Sequence, residues 1–314
     1  MAETMRRKLA NNPVYIALSH ASYRALTLLS PRACSLRRWK KIFGFPLRED
    51  APVWWGEKLM LLKLDCYNRS PLVRRCANKY YVREYAASLG LDALLIDLYG
   101  LWDDETKVPW DTLPDRCVLK STMGCGLQMH VFVRERSKLD VPRAKRVLHR
   151  ALHDRYYLDY AEMQYAPGKD MRPQVLCERL LDTENGAEAE DYKLFCFHGE
   201  PMYVLYCFAR NAEGHAQYAF LDTSWTMRPE LHPCCCAHAP EKPACFPEML
   251  SAARKLSKPF PFVRVDFYAE HGRPLLGEMT FTPSACVDTE ITVLGQETLG
   301  ALLHLEQADA AALR

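Results

Sequence analysis

Hydrophobic and polar positions alternate most clearly over residues 259–286, which read PFPFVRVDFYAEHGRPLLGEMTFTPSAC. Alternation with a period of two predicts strands, and the polar break at His271-Gly272 predicts a turn between them. The stretch is therefore predicted to form a β-hairpin. On the first strand, one face carries Phe262, Arg264, Asp266 and Tyr268. On the second strand, one face carries Leu276, Glu278 and Thr280.

Symmetric pairing of these strands about Gly272 sets Asp266 opposite Glu278 and Arg264 opposite Thr280. Directly opposed side chains lie ~5 Å apart at Cβ. Two carboxylates at that distance repel unless positive charge lies between them, and a divalent cation with oxygen ligands suits the gap. The forked guanidinium of Arg264 suits a phosphate. The hairpin therefore predicts a magnesium–nucleotide site; the alternative is an exposed hairpin whose charges are simply solvated.

Further strands and helices are predicted in blocks along the chain. Strands are predicted over residues 117–120, 128–133, 174–181, 192–197, 202–208 and 217–221. Helices are predicted over residues 79–89, 142–153, 247–256 and 289–307. The second helix is expected to begin after Asp140, which can cap it. Hairpins and helices that come in blocks favour an α+β fold over a doubly wound parallel sheet.

Residues 1–45 predict a basic helical extension. They contain nine Lys or Arg side chains, with Glu3 as the only acid. Helical spacing gives an apolar stripe made of Tyr15, Leu18, Tyr23, Leu26 and Leu29. One interpretation is a helix that packs on the main body and leaves its basic face in solvent. The other is attachment of the helix to an anionic membrane surface.

Composition narrows the class of protein. The chain has 314 residues, 49% of them hydrophobic and 25% charged, which suits one large or two ordinary domains. The net charge of +2 does not indicate a nucleic-acid partner. Thirteen cysteines spread through apolar segments favour reduced thiols in a cytoplasmic protein, and no apolar run reaches the ~18 residues of a membrane span. Separated ligand pairs are usual for zinc, which disfavours a zinc site at Cys234, Cys235, Cys236, His238 and Cys245.

Two common phosphate-binding motifs are absent, because the chain contains neither GxxxxGK[ST] nor a GxGxxG that opens a helix. Lys120 instead ends a predicted strand and precedes the turn STMGCG, which contains Gly124 and Gly126. A lysine charge followed by loop N–H groups is another way to hold an anion. Alone this signal is weak, since most such turns merely connect strands.

The order of these segments resembles that of the ATP-grasp enzymes. More narrowly, KYYVREYAASLG, LPDRCVLKSTMGCG, DYKLFCFHGEP, PFVRVDFY and GEMTFTP resemble the TupA-like family of teichuronopeptide biosynthesis, over about residues 43–305. The resemblance implies an α+β ATP-grasp fold in which two subdomains sandwich ATP. The implied division is a helical extension at 1–45, an N-terminal subdomain at 46–110, a lid subdomain at 111–181 and a catalytic subdomain at 182–314.

The resemblance also implies which residues bind ATP. Those near the phosphates are Lys79, Lys120, Gly124, Gly126 and Lys193. Those near the adenosine are Glu178, Arg179, Leu181 and Asp191. In this interpretation Glu178 meets the adenine amino group, the backbone of residues 179–181 forms the hinge, and Asp191 meets the ribose.

Catalytic and metal-binding roles are implied in the same way. The catalytic residues are Arg264, which stabilises the transferred phosphoryl group, and Lys120. Asp266 and Glu278 bind magnesium, with Thr280 at a position where many ATP-grasp enzymes carry asparagine. The glycine lid also departs from the family, because Thr122-Met123 stands in place of an asparagine-histidine pair.

The expected function is an ATP-dependent carboxylate–amine ligase that forms an amide through an acyl phosphate, in the assembly of a cell-surface polysaccharide, glycoconjugate or peptide polymer. Its partners are then small or polymer-linked carboxylate and amine substrates, with ATP and Mg²⁺ as cofactors. The expected location is the cytoplasm, with the inner membrane face as a site of peripheral contact. Two alternatives are a glycosyltransferase that binds a nucleotide-sugar and a non-catalytic nucleotide-binding partner of a synthesis complex.

Overall fold

The computed structural model describes residues 12–124, 126–181, 189–209 and 216–307. The α-helices in these ranges are α1 Pro13–Leu29, α2 Pro31–Phe43, α3 Trp55–Leu62, α4 Pro71–Ala77, α5 Tyr81–Ser88, α6 Val141–Leu152, α7 Tyr156–Tyr160, α8 Phe246–Ser257 and α9 Val293–Leu302. The strands are β1 Leu98–Trp102, β2 Cys117–Ser121, β3 Val131–Val133, β4 Val175–Arg179, β5 Asp191–Phe197, β6 Glu200–Phe208, β7 Gln217–Asp222, β8 Phe262–Glu270 and β9 Arg273–Thr280.

The strands form two antiparallel sheets with separate cores. The first has the order β1-β4-β2-β3, and the second has the order β7-β6-β5-β8-β9. Ala144 and Leu148 of α6 pack on the first sheet, and a larger core joins the second sheet to α8 and to helices α3–α5. Antiparallel sheets with helices in separate layers confirm the predicted α+β fold.

The β8–β9 hairpin confirms the two predicted pairs, since Asp266 is opposite Glu278 and Arg264 is opposite Thr280. It turns at His271 and Gly272, whose φ angles of 49° and 73° suit a tight two-residue hairpin turn. Between the turn and Phe267, however, the strand pairing is shifted by one residue relative to the Asp266–Glu278 pair. The shift occurs at an irregularity beside Gly277.

The prediction that Leu276 shares a face with Glu278 and Thr280 is therefore wrong. Leu276 is paired with Phe267, whereas Glu278 is paired with Asp266. Because successive strand residues point to opposite faces, the extra residue at Gly277 moves Leu276 to the opposite, buried side. The bulge thus lets the apolar residues near the turn join the core while the carboxylates stay paired.

The first sheet presents the predicted lysine and glycine turn. Lys120 lies near the end of β2, and residues 121–124 and 126 lead into a short 3₁₀ turn at Leu127–Met129. The strand predicted from residue 128 begins only at Val131. Helix α6 begins as predicted, with the Asp140 carboxylate accepting the Arg143 N–H at 2.9 Å.

The N-terminal helices pack on α7. Thr27 Oγ1 donates to the Leu158 carbonyl at 2.6 Å, and Arg24 makes two hydrogen bonds to the Asp159 carboxylate. The prediction of a single apolar stripe is wrong for Leu18 and Leu29, because α1 packs on α7 through the side that carries Tyr23 and Thr27. Leu18 and Leu29 are 65% and 85% exposed, with Leu28 and other apolar residues beside them.

The basic cluster at residues 6–8, on which part of the extension prediction rested, lies outside the described residues. In the ranges that the structure covers, no helix combines the length and the apolar character needed to cross a membrane.

We expect Gly277→Ala to destabilise the protein by about 1–2 kcal/mol, because a Cβ there would lie 2.9 Å from the Tyr268 ring and 3.1 Å from the Asp266 carbonyl. Urea unfolding measures the loss. The control is Gly272→Asn, since a Cβ at Gly272 meets open space and asparagine tolerates positive φ. Equal stability of Gly277→Ala and the parent protein would contradict the bulge argument.

Candidate active site

A cavity of about 400 Å³ is lined by residues from several stretches of the chain. The turn after β2 contributes Met123 and Gly124, and the hairpin contributes Arg264, Glu278 and Thr280. The other described residues of the lining are Ala77, Lys79, Tyr156, Tyr160, Glu162, Tyr165, Met279, Thr282, Pro283, Ser284 and Ala285. Three of the hairpin residues predicted for catalysis and metal binding, Arg264, Glu278 and Thr280, therefore line the cavity.

Asp266 is buried between two cationic side chains. Arg264 donates to both of its carboxylate oxygens at 2.7 Å, and Lys193 Nζ lies 3.1 Å from Oδ2. The positive charge required beside the paired carboxylates thus comes from side chains of the protein itself. Lys193 also lies 3.6 Å from Asp191, so Asp191, Lys193 and Asp266 meet across β5 and β8.

Glu278 is the more accessible carboxylate of the pair, with 40% of its side chain exposed. It lies 3.5 Å from Lys79 Nζ and 3.7 Å from Arg264, and the Thr280 hydroxyl donates to it at 3.2 Å. Burial opposes ionisation of Glu278, but Lys79 and Arg264, with smaller effects from other lysines, lower its pKa to about 2. Glu278 is therefore ionised at neutral pH.

Lys79 and Lys120, both predicted to lie near the phosphates, make polar contacts with different parts of the protein. Lys79 Nζ donates to the Gly124 carbonyl at 2.7 Å, and its backbone N–H donates to the Thr122 carbonyl. Lys120 Nζ lies 2.6 Å from Glu178, whose other oxygen accepts from Arg83 at 3.1 Å. The positive charges are thus oriented and neutralised by the protein.

Arg179 joins the first sheet to the hairpin tip. Its guanidinium donates to both oxygens of Glu270, at 2.9 and 2.6 Å, and to Asp97 at 3.0 Å. Its backbone N–H donates to the Asp97 carbonyl at 2.9 Å, so this N–H of the predicted hinge already has a partner. Leu181 ends one described range, and Gly126 has a φ of 85° in the lid turn. The adenosine contacts implied for these residues stay predictions.

Several site residues carried no signal in the sequence. Arg83, which is paired with Glu178, lies in a predicted helix whose periodicity suggested only packing. The tyrosines of the cavity wall lie in segments for which no element was predicted. Burial and the charges of Lys120 and Lys79 lower the pKa of His130 to about 3. A neutral imidazole near two lysines predicted to hold phosphates is a candidate hydrogen-bond partner for the same anion.

The oxygen donors on the hairpin fit a magnesium ion. Two carboxylates, Asp266 and Glu278, and the Thr280 hydroxyl lie together, and magnesium usually takes one or two carboxylates while waters and phosphates complete its shell. No group of three or more His, Cys, Asp or Glu side chains suited to a metal occurs in the part of the chain that the structure describes. That includes the cysteine-rich loop at residues 234–245.

The chain thus combines two antiparallel sheets with a cluster of lysines, an arginine and paired carboxylates at a cavity. A family model described as TupA-like ATPgrasp matches residues 57–304. The chain belongs to the TupA-like ATP-grasp family, as its motifs predicted. No curated protein matches it.

Solved structures show more distant likenesses. A D-alanine–D-alanine ligase from Helicobacter pylori aligns with a TM-score of 0.42 and 14% identity, covering 73% of this chain and 61% of that one. The D-cycloserine synthetase DcsG aligns with a TM-score of 0.42 and 17% identity, covering 78% and 72%. The ATP-grasp ligase PsnB with its minimal precursor aligns with a TM-score of 0.41 and 12% identity, covering 80% and 68%. The chain thus spans less than two thirds of the Helicobacter enzyme.

We expect Asp266→Asn to lower the free energy of unfolding by about 3 kcal/mol in the absence of nucleotide, because Arg264 and Lys193 would lose the buried negative charge between them. Glu84→Gln is the control, because Glu84 and its partner Arg75 have side chains 47% and 52% exposed, and the expected change is below about 1 kcal/mol. Chemical denaturation compares the two. Equal losses in both variants would show that Asp266 does not neutralise the two cations.

Proposed function

We propose that this protein is an ATP-dependent carboxylate–amine ligase. The observation that carries the proposal is the cluster of Lys79, Lys193 and Arg264 around the opposed carboxylates Asp266 and Glu278, in a chain of the ATP-grasp family. Lys79, Arg264 and Glu278 of this cluster line the cavity. Phosphoryl transfer needs positioning and charge neutralisation more than covalent help from the protein. This cluster supplies both.

ATP binding would exchange internal ion pairs for contacts with phosphates. Lys79 would turn from Glu278 and the Gly124 carbonyl toward the nucleotide, and Lys120 would leave Glu178. Asp266, Glu278 and Thr280 would hold a magnesium ion, which neutralises charge on the transferred phosphoryl group. Glu178, released from Lys120, would be available to the adenine amino group, as the family resemblance implies.

The first chemical step is attack of a substrate carboxylate oxygen on the terminal phosphorus of ATP. The bond from this phosphorus to the bridging oxygen breaks, so ADP leaves and an acyl phosphate remains. Arg264, which lines the cavity, would donate to the equatorial oxygens of the transferred group. In the second step an amine attacks the acyl carbon, the bond from this carbon to the bridging phosphate oxygen breaks, and the proton lost by nitrogen ends on the released phosphate.

We propose the substrates from the biosynthetic role that the family suggests. The family suggests assembly of a cell-surface polysaccharide, glycoconjugate or peptide polymer, with an amino acid joined to a uronic acid or a peptide. A uronic acid offers the required carboxylate and an amino acid the required amine. The assay therefore presents pairs from libraries of both classes with ATP and magnesium.

With a productive pair, ADP, phosphate and amide should appear in equal amounts, and hydroxylamine should intercept the acyl phosphate as a hydroxamate. Lys120→Ala should slow turnover about 100-fold, because loss of a preorganised charge costs about 3 kcal/mol in the barrier. Lys138→Ala, at a lid lysine with a 78% exposed side chain, is the matched control. Mass spectrometry and nucleotide chromatography measure the products.

Other outcomes identify other functions. AMP with pyrophosphate, or a stable phosphate ester formed without amine, would falsify the ligase proposal. Thermal stabilisation by nucleotide-sugars but not by ATP–Mg²⁺ would favour a glycosyltransferase. Stabilisation by ATP–Mg²⁺ without turnover of any substrate pair would favour a non-catalytic partner in a synthesis complex, which the altered Thr122-Met123 lid makes a reasonable second candidate.

We also propose that α1 contacts an anionic membrane surface. Leu18, Leu28 and Leu29 are 65%, 72% and 85% exposed on a helix without acidic residues in its first turn, next to the basic N-terminal segment. An amphipathic helix of this kind binds by burying its apolar face while basic residues meet lipid headgroups.

Liposome sedimentation tests this contact. The parent protein should bind vesicles that contain anionic lipid severalfold better than neutral ones, and Leu28→Gln with Leu29→Gln should reduce the binding. Leu294→Gln is the matched control, because Leu294 is a 51% exposed leucine on α9. Equal binding to both kinds of vesicle, or no binding to either, would rule out the membrane contact.

A further inference from the structure

The residues that line the cavity apart from the hairpin have a different chemical character. They include Tyr156, Tyr160 and Tyr165, and the rings of Tyr156 and Tyr165 lie 5.7 Å apart at an interplanar angle of 44°. Besides Glu278, Glu162 is the acidic side chain among the described residues of the lining. An aromatic wall with one carboxylate is a typical environment for an organic cation.

Glu162 is 5% exposed and is fixed by a buried hydrogen-bond chain. The Thr282 hydroxyl donates to one of its carboxylate oxygens and accepts from Gln164 Nε2 at 2.9 Å. Gln164 and Thr282 are themselves buried, at 0% and 3% exposure. Burial raises the pKa of Glu162 above its usual value, and Lys63, Thr282 and Arg38 limit that rise.

Hydrogen bonds from neighbouring segments fix the backbone of the aromatic wall. Lys63 Nζ donates to the Tyr160 carbonyl at 3.0 Å, and Asn68 bonds the Ala161 carbonyl and the Met163 N–H. The Arg38 guanidinium lies 4.3 Å from the centre of the Tyr160 ring. The aromatic wall is therefore held in place before any ligand arrives, which lowers the entropic cost of binding.

The lining of the cavity carries charged groups of both signs. Lys79 and Arg264 suit a carboxylate or phosphate, and Glu162 suits a cation. Burial raises the pKa of Tyr165 well above its usual value; Glu162 and Glu278 raise it further, and Arg264 lowers it. A substrate pair with one carboxylate and one ammonium matches this lining.

We propose that Glu162, with the tyrosine wall, is the binding site for the amine substrate, that it selects aliphatic primary amines in their ammonium form, and that its carboxylate then takes one ammonium proton so that the neutral amine attacks the acyl carbon. The inference rests on the proposed ligase function and deepens it by naming the substrate class and the residue that recognises it. Glu162 accepts the N–H donors, and the tyrosine faces attract the charge. Neutral hydroxyl compounds and carboxylates lack this attraction, so an amine enters in preference to either.

The test uses propylammonium chloride and its neutral analogue propan-1-ol as probes, titrated at pH 7 and constant ionic strength with saturation-transfer NMR. The parent protein should bind propylammonium more tightly than propan-1-ol. Glu162→Gln should weaken propylammonium binding about tenfold, as the loss of a charged hydrogen bond predicts, and Tyr156→Leu should weaken it severalfold. Glu248→Gln removes the same charge from the exposed first turn of α8 and should bind like the parent protein.

Equal affinity for propylammonium and propan-1-ol, or unchanged propylammonium binding in Glu162→Gln, overturns the inference. Circular dichroism checks the fold of each variant, and Tyr156→Leu decides the question if Glu162→Gln does not fold. Thermal shifts with ATP–Mg²⁺ on the same samples separate this inference from the proposed function. Nucleotide binding without ammonium preference overturns only the amine site, whereas ammonium preference without nucleotide binding overturns the ligase proposal.

Discussion

The buried ion pairs of Asp266 with Arg264 and Lys193 are the interaction on which the rest of the site depends. They lie on β8 and β5, at the centre of the five-stranded sheet, and bring two cations into a space with little solvent. Without the carboxylate these cations would repel each other in a medium that screens them poorly. With the Asp266 carboxylate present, Arg264 and Lys193 can lie close together without disrupting the sheet.

The same principle recurs around the cleft. Lys79 is paired with Glu278, and Lys120 is paired with Glu178, so both of these predicted phosphate-binding lysines have a carboxylate partner. These pairs hold the lysine side chains at the cleft. A bound polyanion would replace the carboxylates, and a metal ion would then compensate the charge that the carboxylates regain. Such exchange lets one set of side chains serve both stability and binding.

The N-terminal helices contribute to the site indirectly. Contacts from Arg24 and Thr27 of α1 and from Arg38 of α2 fix residues 156–161, whose tyrosines form the far wall of the cavity. Lys63 supports the same wall from the opposite side. Helices α1 and α2, for which the sequence predicted only a basic extension, thus also support the proposed amine site. The exposed leucines of α1 remain available for contact with another surface.

Local pattern determined the elements, the α+β class and the β8–β9 hairpin, because alternation, glycine turns and a helix cap depend on neighbouring residues. It also paired Asp266 with Glu278, since their spacing about a tight turn is a local property. Only the tertiary structure decided that Arg264 and Lys193 neutralise that pair, that the Gly277 bulge moves Leu276 into the core, and that Glu162 meets the tyrosine wall. These outcomes join segments far apart in the chain, and the free energy of burying charge depends on which partners arrive, a quantity that no single stretch of sequence contains.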